Sequence, residues 1–354
     1  MKIKPVSGPH TQTNNQVSGI MLQVIIAIIP ALAFGIYLFG WPALNLVVIT
    51  LLSALIFEYF CLRLAGKSPR VLYDYSAVLT GCLVAMTLPP WAPWWIGVVG
   101  SGIAIILGKQ VYGGLGQNVF NPAMLARVAL LISFPVEMTT WANVTPFFSE
   151  QAPNFVEGLE ITFLGLQQMD AYTGATLLGH VKTELSQNHL LPGILRGVYT
   201  EQSSWFGFMR GSLGETSAIF LALGGLWLFF KGVISWHIPS AMLFSVWIIS
   251  AIFHWWDPAH YLNPWIHISS GALICAAFFI ATDYVTSPNS AAGQIVFGVS
   301  CGLLIFIIRT WGAYPEGAGF AVLLMNAMTP LIDHYIKPRI YGRNRKGMPL
   351  ELKE

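Results

Sequence analysis

The sequence predicts an all-α protein that crosses a membrane about ten times, as two inverted repeats of five helices with a long folded outer loop between them. Scarce charge, ten apolar segments and a similarity between the two halves lead to this prediction. Of the 354 residues, 55% are hydrophobic and only 10% are charged, whereas soluble proteins carry about 25% charged residues. Lipid is therefore expected to cover much of the surface. The net charge of +2 gives no indication of nucleic-acid binding.

Ten segments are apolar enough to cross a bilayer, which takes about 20 residues of helix. The third and fifth contain or adjoin prolines (Pro89, Pro90, Pro93 and Pro122), so each is a candidate for a re-entrant or discontinuous helix. The first follows a polar stretch, has no small-residue cleavage site and is predicted to be a retained span. The predicted spans are 19–39, 43–62, 73–88, 93–108, 118–134, 215–230, 236–254, 264–282, 291–308 and 317–335.

Basic residues are distributed unevenly between the loops on the two sides of these spans. Because Lys and Arg are retained on the cytoplasmic side, the distribution predicts cytoplasmic termini and a long loop on the outer side of the membrane. The outer side then holds only Lys182, Arg196, Arg210 and Arg309, while Arg127 lies within the membrane. The predicted divisions are a membrane half at 1–134, the outer loop at 135–214, a second membrane half at 215–336 and a basic cytoplasmic tail at 337–354.

The cysteines Cys61, Cys82, Cys275 and Cys301 each lie in an apolar run, without a C-x-x-C pair. We therefore expect neither a disulfide nor an iron–sulfur site within the chain. Cys82 and Cys275 occupy similar places in the two halves, which leaves open a helix-packing role or a cluster shared with a partner.

Two stretches of the sequence match each other in order. Each half contains five predicted spans, an odd number, so the second half would enter the membrane from the opposite side and form an inverted repeat. In such folds the broken helices of the two halves meet near the midplane and line a cavity. The alternative is that two Gly-rich apolar stretches match by composition alone. The matching elements are SAVLTGC at 76–82, Lys109 and NPAM at 121–124 in the first half, and SSGALIC at 269–275, Arg309 and MNAM at 325–328 in the second.

A short motif in the outer loop offers a site for chemistry. It runs from Asp170 through Thr173, Gly174 and Ala175 to Thr176. The small Gly-Ala pair lets the backbone approach a bulky group and leaves the hydroxyl of Thr176 presented to it. Taken alone, the motif indicates only an ordinary polar turn.

Several longer motifs place the sequence in a known family. They resemble the family that contains the D subunit of Rnf complexes and the B subunit of the sodium-pumping NADH:quinone oxidoreductase. The resemblance runs from about residue 18 to 343, essentially the whole chain. The motifs that carry it are KQVYGGLGQNVFNPAM at 109–124, LISFP at 131–135, ATD at 281–283 with VT at 285–286, FAVLL at 320–324 and PLID at 330–333.

This resemblance implies a flavin at the outer-loop motif. In the family, the last threonine of a Ser/Thr-Gly-Ala-Thr motif is esterified to the phosphate of FMN, which corresponds to Thr176 here. Thr173 stands where serine is common, and since it is not the attachment residue we expect no effect. The resemblance further implies a flavin transferase that installs the group. It implies partners, the A, B, C, E and G subunits of an Rnf complex, notably the flavin-bearing G subunit. It also implies electron transfer across the membrane that is coupled to the movement of Na⁺ or H⁺.

Ionisable residues at membrane depth are functional candidates because burying them is costly. Glu58 in the second span and Asp283 at the end of the eighth are the candidates for an ion path. Glu58 has an equally good alternative interpretation, a carboxylate that extends to the inner interface near Arg63. For Arg127 we favour a structural role in the fifth span.

Other polar residues suggest less specific sites. A second ligand site between the halves is a further candidate, lined by Lys109, Asn118 and Asn121. Its ligand would be a second flavin, such as riboflavin, or a quinone-like molecule. His254 and His260 flank an outer span end, where metal binding competes with an interfacial position.

Two functions other than electron transfer fit part of the sequence. An inverted-repeat channel or transporter of the urea- or ammonium-channel type accounts for the spans and the repeat but leaves the Thr176 motif unexplained. A purely structural scaffold accounts for less again. The Thr176 motif is therefore the feature that discriminates between these functions.

Overall fold

The computed structural model describes residues 16–165, 175–195 and 199–338. Within these ranges the chain consists of helices and their connections, with no β-strand. The predicted all-α class is confirmed for this part of the chain. Asp170, Thr173, Gly174 and Arg196 lie outside the described residues, as does the predicted tail beyond residue 338.

The first half begins with α1, Val17–Leu64, which breaks at Gly40. Gly40 has a positive φ of 73°, a conformation that glycine adopts without steric cost. The break falls between the first two predicted spans. A short 3-10 helix, Pro69–Asp74, leads into α2, Ser76–Thr87, and α3, Trp94–Gly102, continues as a π-helix over Ile103–Gln110.

The helix α4, Pro122–Ser133, starts at a well-defined cap. The side chain of Asn121 accepts hydrogen bonds from the backbone N–H of Ala123 at 3.1 Å and of Met124 at 3.2 Å. Proline at the first helical position needs no such partner. The NPAM motif thus fixes where α4 begins.

The described parts of the predicted outer loop carry five short helices. Leucines and other aliphatic side chains of this segment form a small core against Leu262 and Ile266 of the second half. The helices are α5, Pro135–Thr139; α6, Phe155–Leu164; α7, Leu177–Ser186; α8, Leu191–Ile194; and α9, Glu201–Phe206.

The second half contains a helix that is interrupted within one predicted span. The helix α12, Pro264–Ser269, ends at Ser270 and Gly271, after which α13, Leu273–Cys275, continues as a π-helix over Ala276–Ile280. Gly271 has a φ of +70°. The other helices of this half are α10, Ala218–Phe230; α11, His237–Trp256; α14, Ala291–Trp311; and α15, Ala318–Tyr335.

Helix lengths differ widely among the predicted spans. Within the described residues, α1, α11 and α14 are long and apolar enough to cross a membrane. By contrast, α2 and α4 have 12 residues each, about 18 Å at 1.5 Å per residue, against about 30 Å of hydrocarbon. The third and fifth predicted spans are therefore short helices. Ten crossings and the inverted repeat remain predictions.

The two halves are packed against each other. The helix α1 contacts α10, and α4 contacts α15. Gly224 on α10 allows the close approach, since a methyl group there would overlap the backbone oxygen of Ala27. The asparagines of the two matching stretches also meet: Asn326, with its amide oriented to satisfy both of its groups, accepts from the backbone N–H of Asn121 at 3.0 Å. This contact places the proposed repeat units side by side.

Candidate functional site

Thr176 is the N-cap of α7. Its hydroxyl oxygen accepts a hydrogen bond from the backbone N–H of Gly179 at 3.2 Å. The first turn of a helix presents N–H groups without intrahelical partners and the positive end of the helix dipole, so it favours anions. A methyl group on Gly179 would lie 3.1 Å from the Thr176 oxygen. Glycine at this position therefore leaves room around the hydroxyl.

Thr176 lines a cavity of about 490 Å³, which we call the Thr176 cavity. This volume lies within the range of about 300–1,000 Å³ that is typical of small-molecule sites. Ala175, exposed beside Thr176, also contributes to the wall. The other lining residues come from α4, α5, α7 and the 312–316 segment, and include Arg127, Leu131, Met138, Trp141, Lys182, Tyr314 and Glu316.

Lys182 joins α7 to the opposite wall of this cavity. Its ammonium donates hydrogen bonds, each 3.2 Å long, to the backbone oxygens of Ile308, Arg309 and Tyr314. Partial burial lowers the pKa of Lys182. The charge distribution along the sequence predicts only that Lys182 lies on the outer side. In the structure Lys182 connects the motif-bearing helix α7 to the end of α14 and to the 312–316 segment.

The Lys182→Met variant is expected to loosen this contact. Loss of the three hydrogen bonds from a charged donor should lower the free energy of unfolding by roughly 1.5–3 kcal/mol, measured by denaturant titration of the purified protein. Lys337→Met is the matched control, since Lys337 is exposed near the end of the described chain. Equal stability of the two variants would show that Lys182 does not hold α7 in place.

Four charged side chains lie in the wall of the Thr176 cavity or next to it: Arg127 and Glu316 line it, Glu215 lines the adjoining cavities, and Arg309 pairs with Glu316. Arg127 donates to the backbone oxygen of Thr87, at the end of α2, which agrees with a structural role. Three of the four side chains, those of Arg127, Glu215 and Arg309, belong to residues no more than 8% exposed. Neither glutamate was predicted from the sequence.

Arg309 and Glu316 stabilise the two helix ends at the interruption between α12 and α13. The guanidinium of Arg309 donates to the backbone oxygens of His267 at 2.6 Å and Ser270 at 3.0 Å. It also pairs with the Glu316 carboxylate at 3.2 Å, which lies directly against Gly271. A cation thus meets the carbonyl end of α12, while an anion lies at the N-terminal side of α13. Each charge matches the helix dipole that it faces.

At the other end of the bundle, Glu58 and Lys109 form a buried ion pair. The Lys109 ammonium lies 2.8 Å from the Glu58 carboxylate and 2.7 Å from the hydroxyl of Ser76. Gln110 donates to the same Glu58 oxygen at 2.7 Å, while the other oxygen has no hydrogen-bond partner among the described residues. Glu58 therefore faces Lys109 inside the protein and does not extend to the surface near Arg63.

Lys109, Asn118, Asn121 and Asp283 line a second cavity, the Lys109 cavity. The structure thus brings together the residues proposed for a second ligand and one of the two ion-path candidates. The Asp283 carboxylate accepts from the Thr286 hydroxyl at 3.2 Å. With a volume of about 90 Å³, the cavity is smaller than the roughly 300 Å³ that small-molecule sites usually reach.

The two cavity systems approach each other between the halves of the protein. A further cavity next to the Thr176 cavity reaches Met124 and Ile280, and the Lys109 cavity reaches Ala123 and Phe279, the neighbouring positions. Asn121 crosses this boundary, since its amide donates to the backbone oxygen of Ile280 at 3.4 Å. A thin layer of packed side chains and backbone therefore separates the two cavity systems.

The histidines at the end of α11 have protein partners. His254 contacts the backbone oxygen of Tyr261 at 2.7 Å, and His260 contacts the Asp257 carboxylate at 2.7 Å. The described residues contain no group of three or more His, Cys, Asp or Glu side chains suited to a metal ion. Cys82 and Cys275 are buried.

The architecture defines a class: a helical membrane protein with a cofactor-sized cavity beneath a threonine at a helix N-terminus. The model of the NQR2, RnfD, RnfE family matches residues 5–342, and the chain belongs to that family. It is 51% identical over 346 residues to the D subunit of the ion-translocating oxidoreductase complex of Halorhodospira halophila, an overlap that covers 98% of this chain and 97% of the relative. The corresponding protein of Stutzerimonas stutzeri is 52% identical over 336 residues, 95% of each chain.

Proposed function

We propose that this chain is the membrane subunit of an ion-translocating oxidoreductase complex that carries FMN on Thr176 and passes electrons across the membrane. One observation carries the proposal: the motif threonine caps α7 and faces a cavity of about 490 Å³. The relatives named above are the D subunits of such complexes. Family membership and the geometry of the site thus support the same function.

The residues around Thr176 fit a phosphoester-linked flavin. The helix N-terminus stabilises a phosphate on the threonine oxygen. The side chains of Leu131, Met138 and Trp141 offer apolar surface to a ring system, and Lys182 adds positive charge. FMN would supply the redox chemistry, while this chain would fix its position and limit its contact with water.

The proposal includes partners and a coupled ion. A membrane subunit of a complex requires other subunits, and the family resemblance implies the Rnf A, B, C, E and G subunits in a bacterial inner membrane, together with a flavin transferase for maturation. Glu58 and Asp283 are our candidates for the path of Na⁺ or H⁺. The second oxygen of Glu58, unpartnered within the described chain, supports this role, because a buried acceptor without a donor favours a cation.

A second flavin has weaker support. The Lys109 cavity has suitable polar residues, but at about 90 Å³ it would have to enlarge before riboflavin could enter. We therefore propose no electron-transfer step through it. A urea- or ammonium-type channel accounts for two opposed cavities but not for the position of Thr176.

Covalent labelling tests the proposed function. The protein should be produced together with a flavin transferase, fully denatured and examined for flavin fluorescence on the polypeptide band. Wild type is expected to be labelled and Thr176→Ala to be completely unlabelled. Thr183→Ala is the matched control, since Thr183 lines the same cavity, and it should be labelled like wild type. An unlabelled wild-type chain would contradict the flavin proposal, and a labelled Thr176→Ala variant would move the attachment site.

A further inference from the structure

The electron-transfer proposal leaves two glutamates without a role. Glu215 is buried, at 8% exposed, and Glu316 is partly buried, with an 18% exposed side chain. Glu316 lines the Thr176 cavity, and both glutamates line two adjoining cavities. Arg127 lines one cavity together with both glutamates, and Arg309 pairs with Glu316 at 3.2 Å. The two carboxylates and two guanidinium groups make the cluster electrically neutral when all four are charged.

Glu316 lies where three cavities meet. It lines the Thr176 cavity, the cavity that reaches Met124 and a third cavity shared by Thr176 and Glu215. The third cavity is also lined by Thr216, which is 2% exposed and whose hydroxyl has no hydrogen-bond partner in the described part of the chain. A fully buried hydroxyl without a partner favours a polar guest such as water beside the carboxylates. Glu316 therefore borders both the Thr176 cavity and a polar cavity that it shares with Glu215.

We propose that Glu215 and Glu316 form a proton-binding pair that takes up one proton when negative charge enters the Thr176 cavity. Two carboxylates that share a site favour binding of a single proton. The two arginines oppose this binding as long as the cluster is neutral. An added electron in the adjacent cavity offsets their effect, so electron arrival and proton uptake favour each other. The coupling to electrons rests on the proposed function, whereas proton binding does not.

The step balances with the FMN of the proposed function as electron acceptor. The redox partner of the complex is oxidised by one electron, which FMN on Thr176 would accept. A hydronium ion of the solvent gives up one proton and leaves water, so that one O–H bond breaks while another forms on a carboxylate of the pair. The ionisable groups that face the pair or line its cavities are Arg127 on α4, Lys182 on α7, Arg210 before α10, Cys275 on α13 and Arg309 on α14. His267 on α12 lies behind them, next to Arg309.

The surroundings favour a proton over Na⁺. A bound metal cation needs several oxygen ligands around one point, whereas each carboxylate here also has a guanidinium in its vicinity. A proton needs only one carboxylate oxygen, and it requires no additional space beside Arg309. The pair is therefore chemically distinct from Glu58, which faces a lysine at the other end of the bundle.

Infrared spectroscopy on flavin-free protein tests proton binding by itself. In the Thr176→Ala variant, the infrared difference spectrum between acidic and alkaline samples should show the band of a protonated carboxyl group, and this band should shift in D₂O. Glu215→Gln and Glu316→Gln should each remove or displace this band, whereas Glu160→Gln, at an exposed position of α6, should leave it unchanged. Glu316→Asp should restore a band, because it restores a titratable group. A band that persists unshifted in both glutamine variants, or one removed by Na⁺ at constant pH, would overturn the proposal.

A second measurement tests the coupling. In flavin-labelled protein, the midpoint potential should depend less steeply on pH in Glu215→Gln and Glu316→Gln than in wild type, with unchanged labelling. If the pH dependence of the midpoint potential is the same in the variants as in wild type while the infrared result is as expected, the coupling is overturned and the proton-binding site stands. If the wild-type chain carries no flavin, the proposed function fails while the infrared experiment still decides the proton site.

Discussion

Gly271→Ala is expected to lower the free energy of unfolding by roughly 3–5 kcal/mol. Two effects combine at this position. Its φ of +70° is unfavourable for alanine by about 1–2 kcal/mol. The added methyl group would also overlap the Glu316 carboxylate, and displacing that carboxylate leaves Arg309 buried without its ion-pair partner. Denaturant titration of the purified protein measures the change.

Gly232→Ala separates the two effects. Gly232 has nearly the same φ, +69°, but no atom of the described residues lies within 4 Å of a methyl group there. This control should therefore show only the backbone contribution. If Gly271→Ala costs no more than Gly232→Ala, the carboxylate does not need the space that glycine provides.

The sequence pattern was sufficient to predict elements that depend on local composition. Apolar runs located the helices, and Gly40 divides α1 between the first two predicted spans. Prolines identified the third and fifth spans as exceptional, and α2 and α4 are indeed short. Such features follow from hydropathy and backbone chemistry within a few residues, and a single sequence contains that information.

The interruption at Gly271 could not be located in the same way. The run from 264 to 282 is apolar and, after Pro264, contains no further proline, so it resembles one continuous span. The break depends on Arg309 and Glu316, about 40 residues further along the chain, which meet its two ends. Only tertiary packing brings them there.

The glutamates of the proposed proton pair were missed for a related reason. Glu215 and Glu316 stand at the edges of predicted spans, where charged residues are normally solvated. In the structure, residues of α4 and α15 line a cavity together with both glutamates, and Glu215 is buried. Such a charge therefore becomes recognisable only when tertiary packing places its partner, here Arg127 from the first half or Arg309 from α14 of the same half.

The ion pair at the other end of the bundle gives the second large expected effect. Lys109→Met should lower the free energy of unfolding by roughly 3–5 kcal/mol, because it leaves the Glu58 carboxylate buried without a counter-ion. Both side chains are only 2% exposed, so water cannot replace the ammonium. Arg63→Met serves as the control: Arg63 is exposed, and its loss should cost no more than about 0.5 kcal/mol.

The double variant Lys109→Met/Glu58→Gln distinguishes an ion pair from two independent contacts. Glutamine removes the charge and keeps an acceptor for Gln110, so the double variant should be more stable than Lys109→Met alone. Additive losses, or a Lys109→Met variant as stable as Arg63→Met, would show that the pair does not stabilise the fold. A strong interaction between Lys109 and Glu58 has a consequence for ion movement. A cation that uses Glu58 must then either displace Lys109 or bind the free carboxylate oxygen while the ion pair stays intact.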